Sequence, residues 1–213
     1  DVLKSKNINN YIFSGDTRFD SISNNKKGNI RLNKIRDYCC NNDIIVFGSI
    51  YKEDIKFIGD FILNNDSFKY LIAFHENCKK NIDLIIEKYG GTKLSDKNSK
   101  KSDIMLIDEF GILKYIYKFA NIVYIGGGFN NGIHNILEPI FFGNPVIFGP
   151  KYENFSEAKE AIKIGIAKSI SNKYEFEESV KKFKNFDRTK SKNYFKSNLG
   201  ASKRVMFEID KKI

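Results

Sequence analysis

The residues best suited to chemistry lie in one stretch of the chain, Asn121 to Ala158. An apolar run, Ile122 to Ile125, is followed by the triplet Gly126 to Gly128, by Gly132, and by a segment with helical spacing. Glycine has no Cβ, so such a loop brings backbone N–H groups close to a ligand, and the start of the next helix favours an anion. The stretch therefore predicts a site for the phosphate of a nucleotide or a sugar nucleotide.

Three polar residues, His134, Asn135 and Glu138, follow the glycines at the spacing of a helical turn. Residues three and four apart share one side of a helix, so all three can face the loop. A carboxylate there can accept hydrogen bonds from the two neighbouring hydroxyls of a ribose. The spacing fits a structural alternative equally well, with Asn135 as a helix N-cap and Glu138 as its capping-box partner. Both interpretations stay open at this point.

Two further candidates, Ser49 and His75, stand where predicted strands end. Each can contact a phosphate or a base, but an ordinary turn and a solvent-exposed strand end are the plainer explanations. The chain has no Gly-x-Gly-x-x-Gly after its first strand, no P-loop, no nucleophile elbow and no paired carboxylates. The sequence therefore indicates a binding site more clearly than a catalytic one.

The elements that carry these residues alternate between strand and helix. Predicted strands cover residues 11–16, 43–47, 70–74, 104–107, 122–125, 145–148 and 166–170. Predicted helices cover residues 30–40, 53–63, 79–89, 112–119, 156–164, 175–183 and 193–210, and residues 23–29 and 95–102 are predicted loops. Continuous apolar runs are typical of strands that are buried on both faces of a parallel sheet.

The pattern predicts a single α/β domain over residues 1–213, with a doubly wound, Rossmann-like parallel sheet and a C-terminal helix. In such folds ligands bind beyond the carboxyl ends of the strands. The turns after the strands contain Ser49, His75 and the glycine loop. We therefore expect these residues to meet at one edge of the sheet.

Charge and cysteine usage limit the possible functions. The net charge is +10, and residues 151–213 hold 16 Lys/Arg against 9 Asp/Glu, or +7 of it. Glutamates are interspersed among these lysines, which indicates a solvated helical surface more than a nucleic-acid site. Cys39, Cys40 and Cys78 have no metal-ligand spacing and fit a reducing cytosol, so we predict no metal and no cofactor. No apolar run approaches the ~20 residues of a membrane-spanning helix.

Several motifs together resemble the donor-binding half of the 3-deoxy-D-manno-octulosonic acid (Kdo) transferases of lipopolysaccharide assembly. The main motifs are GGGF, GIHNILEP, FGNPVIFGP and ENFSEA, between Gly126 and Ala158. Supporting motifs are GDTRFD from Gly15, FGSIYKED from Phe47, AFHE from Ala73, LIDEFGIL from Leu106 and NLGASKRV from Asn198. The resemblance spans nearly the whole chain, with the motifs in the same order.

The resemblance implies the C-terminal domain of a two-Rossmann-domain (GT-B) glycosyltransferase, which binds CMP-Kdo. It implies that the loop glycines surround the phosphate, that Asn135 and Glu138 bind the sugar phosphate and the ribose, and that Ser49 and His75 line the opposite wall. The residues implied at the donor site are Ser49, His75, Gly126, Gly127, Gly128, Asn131, Gly132, His134, Asn135 and Glu138. Asn131 departs from the family pattern, because many members have Lys or Arg there.

The resemblance also implies a wider setting. The acceptor domain and its catalytic carboxylate would belong to an N-terminal half that this chain lacks, so the chain alone would bind the donor without transferring Kdo. The whole enzyme would act on a lipid A precursor at the cytoplasmic face of the bacterial inner membrane. Its N-terminal half would pack on the last helix. We therefore expect the apolar residues of that helix to be partly exposed here: Phe195, Leu199, Val205, Met206 and Ile209.

Two alternatives remain at this point. Another sugar-nucleotide glycosyltransferase or a UDP-sugar epimerase would share the glycine loop and the helix glutamate. A non-catalytic module that binds nucleic acid through its C-terminal lysines is the second alternative, although no platform of interleaved aromatic and basic residues supports it.

Overall fold

The computed structural model describes residues 2–23, 32–76, 79–96 and 102–211. Over these ranges the strands are β1 (Ile44–Ile50), β2 (Lys69–Phe74), β3 (Thr92–Lys93), β4 (Ile104–Leu106), β5 (Ile122–Ile125), β6 (Val146–Phe148) and β7 (Ala167–Ser169). The helices are α1 (Val2–Ser5), α2 (Thr17–Ser23), α3 (Asn33–Cys39), α4 (Lys52–Leu63), α5 (Lys79–Tyr89), α6 (Leu113–Ile116), α7 (Leu137–Phe141), α8 (Ser156–Lys163), α9 (Lys173–Phe183), α10 (Arg188–Ser197) and α11 (Ala201–Asp210), with a 3-10 turn at Tyr117–Phe119.

The strands form one parallel sheet in the order β3-β4-β2-β1-β5-β6-β7. Val123 in β5 pairs with Val46 in β1 on one side and with Val146 in β6 on the other. All three side chains are fully buried, as the continuous apolar runs predict for a sheet with both faces covered. The predicted doubly wound α/β fold is confirmed, and β1 and β5 are its central strands.

Helices cover both faces of the sheet and form two apolar cores. One core takes side chains from α2, α3, α6, α7, α8 and α10. The other takes side chains from α4, α5 and α9. The strands β1, β2, β4, β5 and β6 send alternate residues to the two cores, since successive side chains of a strand point to opposite faces. The helices therefore hold the carboxyl edge of the sheet, where ligands bind in such folds, in a fixed frame.

The prediction of a strand at residues 11–16 is wrong. These residues form an extended segment outside the sheet, and the side chains of Ile12 and Phe13 are 59% and 92% exposed. The apolar run has strand-like composition, but no neighbouring strand is available to satisfy its backbone groups. The Arg204 guanidinium instead donates to the Ser14 carbonyl oxygen at 2.8 Å.

The predicted single helix over residues 193–210 is in fact two helices, α10 and α11. Gly200 has a φ of 93°, a left-handed conformation that interrupts the helix and that glycine adopts without strain. The Asp20 carboxylate accepts hydrogen bonds from the N–H groups of Gly200 and Ser202, both at 2.7 Å, and so caps α11. Met206 and Ile209 are 55% and 46% exposed, as predicted. The prediction is wrong for Phe195, which is 3% exposed because α10 packs it into the core.

An arginine fixes α10 to the turn that follows α7. The Arg188 guanidinium donates to the carbonyl oxygens of Ala120 and Phe142, both at 3.0 Å, and to the Asn144 side-chain oxygen at 2.6 Å. Ser191 in α10 donates to the Asn144 carbonyl oxygen at 3.1 Å. Because Asn144 is fully buried, these bonds satisfy polar groups that water cannot reach.

Some predictions fall outside the described residues. Cys78, most of the predicted loop at 23–29 and residues 97–101 of the predicted loop at 95–102 lie there. Among the residues the structure describes, no helix is long and apolar enough to cross a membrane.

Candidate functional site

The glycine loop between β5 and α7 is closed on itself by backbone hydrogen bonds. The N–H of Gly132 donates to the Gly127 carbonyl oxygen at 3.1 Å, and the N–H of His134 donates to that of Gly126 at 3.3 Å. Gly127 and Gly132 have φ values of 90° and 129°, a region that side chains rarely allow. The sequence therefore needs glycine at both positions to form this compact loop.

Ser49 lies beside the loop, although not in the predicted turn. Gly48 and Ser49 are part of β1, and the pairing of β1 with β2 is irregular between Phe47 and Ile50. Ser49 has a φ of 53°, which indicates a local bulge, and its carbonyl oxygen faces Gly126 so closely that a Cβ there would collide with it. The half-buried Ser49 thus stands against the first glycine of the loop, as the resemblance implied.

The far side of the loop packs against the turn after β6. A Cβ on Gly128 would lie 2.6 Å from the backbone of Gly149, so only glycine permits this approach. Lys151 completes the contact, since its N–H donates to the Gly128 carbonyl oxygen at 2.9 Å and its ammonium donates to that of Asn130 at 2.6 Å. Asn131 is exposed next to this lysine. The positive charge beside the loop therefore comes from Lys151, which follows β6, and not from position 131.

Three rings meet at the carboxyl ends of β1, β2 and β5. The rings of His75 and His134 are stacked with centroids 4.2 Å apart, and the Tyr51 ring lies 5.1 Å and 5.5 Å from them. The Tyr51 hydroxyl is 3.2 Å from His134 Nε2. Burial, and the nearby charge of His75, lower the pKa of His134, so its imidazole is neutral at pH 7. His75 is therefore part of the cluster around the loop.

Asn135 and Glu138 only partly follow the capping alternative. The Asn135 side-chain oxygen accepts from the Leu137 N–H at 2.9 Å, which is a cap at the start of α7. Glu138 interacts with the Asn135 side chain, and no hydrogen bond to the backbone completes a capping box. Burial raises the pKa of the half-buried Glu138 carboxyl, while Lys114 and Asn135 oppose the shift. Pro139 lies in the first turn of α7, where a proline removes no helical hydrogen bond.

A cavity of about 220 Å³ opens beside the Glu138 carboxylate, between α2, α6 and α7. It is lined by Ile22, Ser23, Lys114, Tyr115, Lys118, Glu138, Phe141 and Phe142. Its walls combine aromatic rings with two lysines and a carboxylate. Glu138 therefore borders a mixed aromatic and charged recess.

The sequence analysis missed two residues that support the loop. Asp54 is 1% exposed, and its carboxylate accepts from the Tyr124 hydroxyl at 2.6 Å and from the Tyr51 N–H at 2.8 Å. The Gly127 N–H also faces the same carboxylate. The capping box of α4 was the signal that could have drawn attention to Asp54 and Tyr51.

Of the predicted site residues outside the loop, Ser49, His75 and His134 lie beside it, and the roles of all the predicted residues in binding remain predictions. Within the described ranges, no group of three or more His, Cys, Asp or Glu side chains is arranged to hold a metal ion.

No protein-family model matches the chain. The sequence is 35% identical to the 3-deoxy-D-manno-octulosonic acid transferase of Aquifex aeolicus over 144 residues, covering 62% of this chain and 39% of that enzyme. It is 32% identical to the transferase of the same name from Rickettsia typhi over 157 residues, covering 67% of this chain and 33% of that enzyme. A bifunctional glycosyltransferase/methyltransferase of Fusobacterium nucleatum is 33% identical over 112 residues, 52% of this chain and 17% of that protein. The chain therefore spans less than half the length of these relatives.

Solved structures show the same fold at low sequence identity. The C-terminal CMP-Kdo binding domain of WaaA from Acinetobacter baumannii matches with a TM-score of 0.59 at 16% identity, over 88% of this chain and 97% of that one. A UDP-N-acetylglucosamine 2-epimerase matches with a TM-score of 0.58 at 16% identity, over 92% of this chain and 50% of that one. These likenesses concern the arrangement of strands and helices.

Proposed function

Because this chain belongs by sequence to the family of the 3-deoxy-D-manno-octulosonic acid (Kdo) transferases, we propose that it is the donor-binding domain of such a glycosyltransferase and binds CMP-Kdo. The observation that carries the proposal is the closed glycine loop at the carboxyl edge of the central strands, with Ser49, His75 and His134 around it. Open α/β sheets bind their ligands at this edge.

In the proposed complex the loop holds the phosphate. Gly127, Gly128 and Gly132 present backbone groups that no Cβ covers, so the donor phosphate can approach them closely. The Lys151 ammonium, held on the loop, offsets part of the negative charge of the phosphate and of the Kdo carboxylate. This lysine takes over part of the role that a basic residue at position 131 has in other members of the family.

Asn135 and Glu138 hold the ribose and the sugar phosphate in this proposal. The Glu138 carboxylate can accept both vicinal ribose hydroxyls, and the cap from Asn135 fixes the start of α7 beneath it. The ionised carboxylate accepts both hydrogen bonds more strongly than the protonated acid does. Because the Glu138 pKa is raised, we expect CMP affinity to decrease with falling pH sooner than an ordinary glutamate would cause.

The whole enzyme is proposed to transfer Kdo to a lipid A precursor at the cytoplasmic face of the bacterial inner membrane. An N-terminal acceptor domain would supply the catalytic carboxylate and would cover the exposed apolar residues of α11, among them Met206 and Ile209. The present chain would then bind the donor without catalysing transfer.

Calorimetry and ¹⁵N NMR of the domain with CMP test the proposal, with UDP as the competing ligand. We expect CMP to shift the amide signals of residues 126–138 and UDP to bind more weakly. UDP is the appropriate competitor because UDP-sugar enzymes share the fold. Glu138→Gln should weaken CMP binding about tenfold, the loss of a hydrogen bond to a charged group. Glu178→Gln, on the exposed side of α9, is the matched control and should change nothing.

Two results would contradict this function. One is a folded domain whose loop signals do not respond to CMP, and the other is equal or stronger binding of UDP. Tight, strongly salt-dependent binding of random-sequence DNA or RNA would favour the nucleic-acid alternative instead.

A further inference from the structure

We propose that Asp54, in the first turn of α4, is a positioning residue that fixes the glycine loop in its binding conformation. Its carboxylate is 1% exposed and lies between α4, β5 and the loop. Its contribution to nucleotide binding rests on the function proposed above. Its effect on the shape of the loop does not depend on that function.

The first argument is the number and origin of its hydrogen bonds. A plain helix cap requires only the bond from the Tyr51 N–H, which closes the capping box of α4. Asp54 also accepts a hydrogen bond from the Tyr124 hydroxyl of β5 at 2.6 Å, and the Gly127 N–H of the loop faces it. A buried carboxylate is strongly unfavourable unless such bonds satisfy it. The buried Asp54 carboxylate therefore connects α4 with β5 and with the loop.

The second argument is that Asp54 also reaches the other end of the loop. By holding the backbone of Tyr51, it sets the position of the Tyr51 ring, which stacks on His134. The Tyr51 hydroxyl then contacts His134 Nε2 at 3.2 Å. One carboxylate thus supports Gly127 directly and His134 through Tyr51, the two ends of the segment that is proposed to surround the phosphate.

The charge of the carboxylate matters for this arrangement. An ionised carboxylate accepts charge-assisted hydrogen bonds, which are stronger than those accepted by its protonated form, so protonation weakens its hold on the surrounding donors. Burial raises the pKa of Asp54, and Glu53 adds to the increase, while the bonds from Tyr124, Tyr51 and Gly127 lower it. The titratable groups that act on this carboxylate are Glu53 on its own helix, Tyr124 from β5, and Tyr51, whose hydroxyl contacts His134. We therefore expect the loop to loosen in mildly acidic solution, as Asp54 takes up a proton.

NMR of the labelled domain tests the positioning role without any ligand. In the wild-type protein, the Gly127 amide proton should titrate with the same midpoint as the Asp54 carboxyl carbon, above pH 3.8. In Asp54→Asn this step should vanish, and the Gly127 and His134 signals should move away from their wild-type positions. The control Asp60→Asn, on the exposed side of the same helix, should leave both signals unchanged.

CMP binding gives the second readout, with an expected tenfold loss of affinity in Asp54→Asn and none in Asp60→Asn. A folded Asp54→Asn protein with unchanged Gly127 and His134 signals would overturn the proposal. If this variant does not fold, separate midpoints for Gly127 and Asp54 in the wild-type protein would overturn it equally. A wild-type domain with the shared midpoint but no affinity for CMP supports the positioning role and refutes the proposed function.

Discussion

Replacing Gly128 with alanine tests whether the glycine loop is held by its close approach to the turn after β6. The added Cβ would lie 2.6 Å from Gly149, against an ordinary contact distance of at least 3.4 Å, so the two segments must separate by about 0.8 Å. The atoms in the way are backbone atoms, which cannot rotate aside as a side chain does. The loop must therefore shift as a unit, and its amides with it.

The size of the effect follows from the cost of overpacking, which is about 1–3 kcal/mol in a well-packed interior. In a domain of this size each kcal/mol lowers Tm by about 2–4 °C, so Gly128→Ala should lower Tm by about 2–12 °C. If the loop amides hold the phosphate, the same shift should weaken CMP binding by about tenfold or more, because hydrogen bonds weaken steeply with distance and angle.

The matched control is Gly165→Ala. Gly165 has a φ of 76° and no atom within 4 Å of an added Cβ, so alanine there suffers backbone strain of about 1–2 kcal/mol but no collision. Gly165 lies between α8 and β7, at the amino ends of the strands, whereas the glycine loop lies at their carboxyl ends. Calorimetric unfolding and CMP titration of both variants separate stability from binding. Wild-type CMP affinity in Gly128→Ala, or an equal loss in Gly165→Ala, would refute the reasoning.

Other predictions concern the frame around the site. Arg188→Ala should lower the free energy of unfolding in urea by about 2–3 kcal/mol, because buried acceptors lose a charged donor. Asp20→Ala should cost about 1 kcal/mol and make α11 the first site of proteolysis. Because the folded-state pKa of His134 is lowered, stability should decrease as pH falls below about 6.5, and His134→Gln should reduce that decrease. In the native state, mass mapping should find Cys40 alkylated before Cys39, whose pKa burial raises to about 12.

Apolar periodicity was sufficient to predict the central elements of the fold. The bounds of β5 and α5 agree with their predictions at every residue, because both have a simple pattern and strong terminators. The segment 11–16 shows the limit of such patterns, since a strand also requires a partner strand. The two-residue strand β3 was missed because it contributes only one buried residue, Thr92, to any pattern.

The site was predictable where local backbone conformation determines it. The glycine loop follows from residue types. The predicted helical turn for His134, Asn135 and Glu138 was wrong for the first two, which precede α7. The bulge at Ser49 could not be foreseen, because it depends on how β1 pairs with β2 and faces the loop. The contacts of Asp54 and Lys151 with the loop could not be predicted either, because each joins residues that are far apart in the sequence.

The contacts between the first residues described and α11 have a topological consequence. Asp20 and Ser14 bond directly to Gly200 and Arg204, so the segment before α2 lies beside the start of α11. Segments that are far apart in the chain and adjacent in space can be joined in a circular permutation. A permuted chain with its ends joined by a short flexible linker and new ends opened at Gly90, where the turn is unobstructed, would keep every strand pairing of the sheet. The fold that holds the glycine loop thus does not depend on the order in which the segments follow one another along the chain.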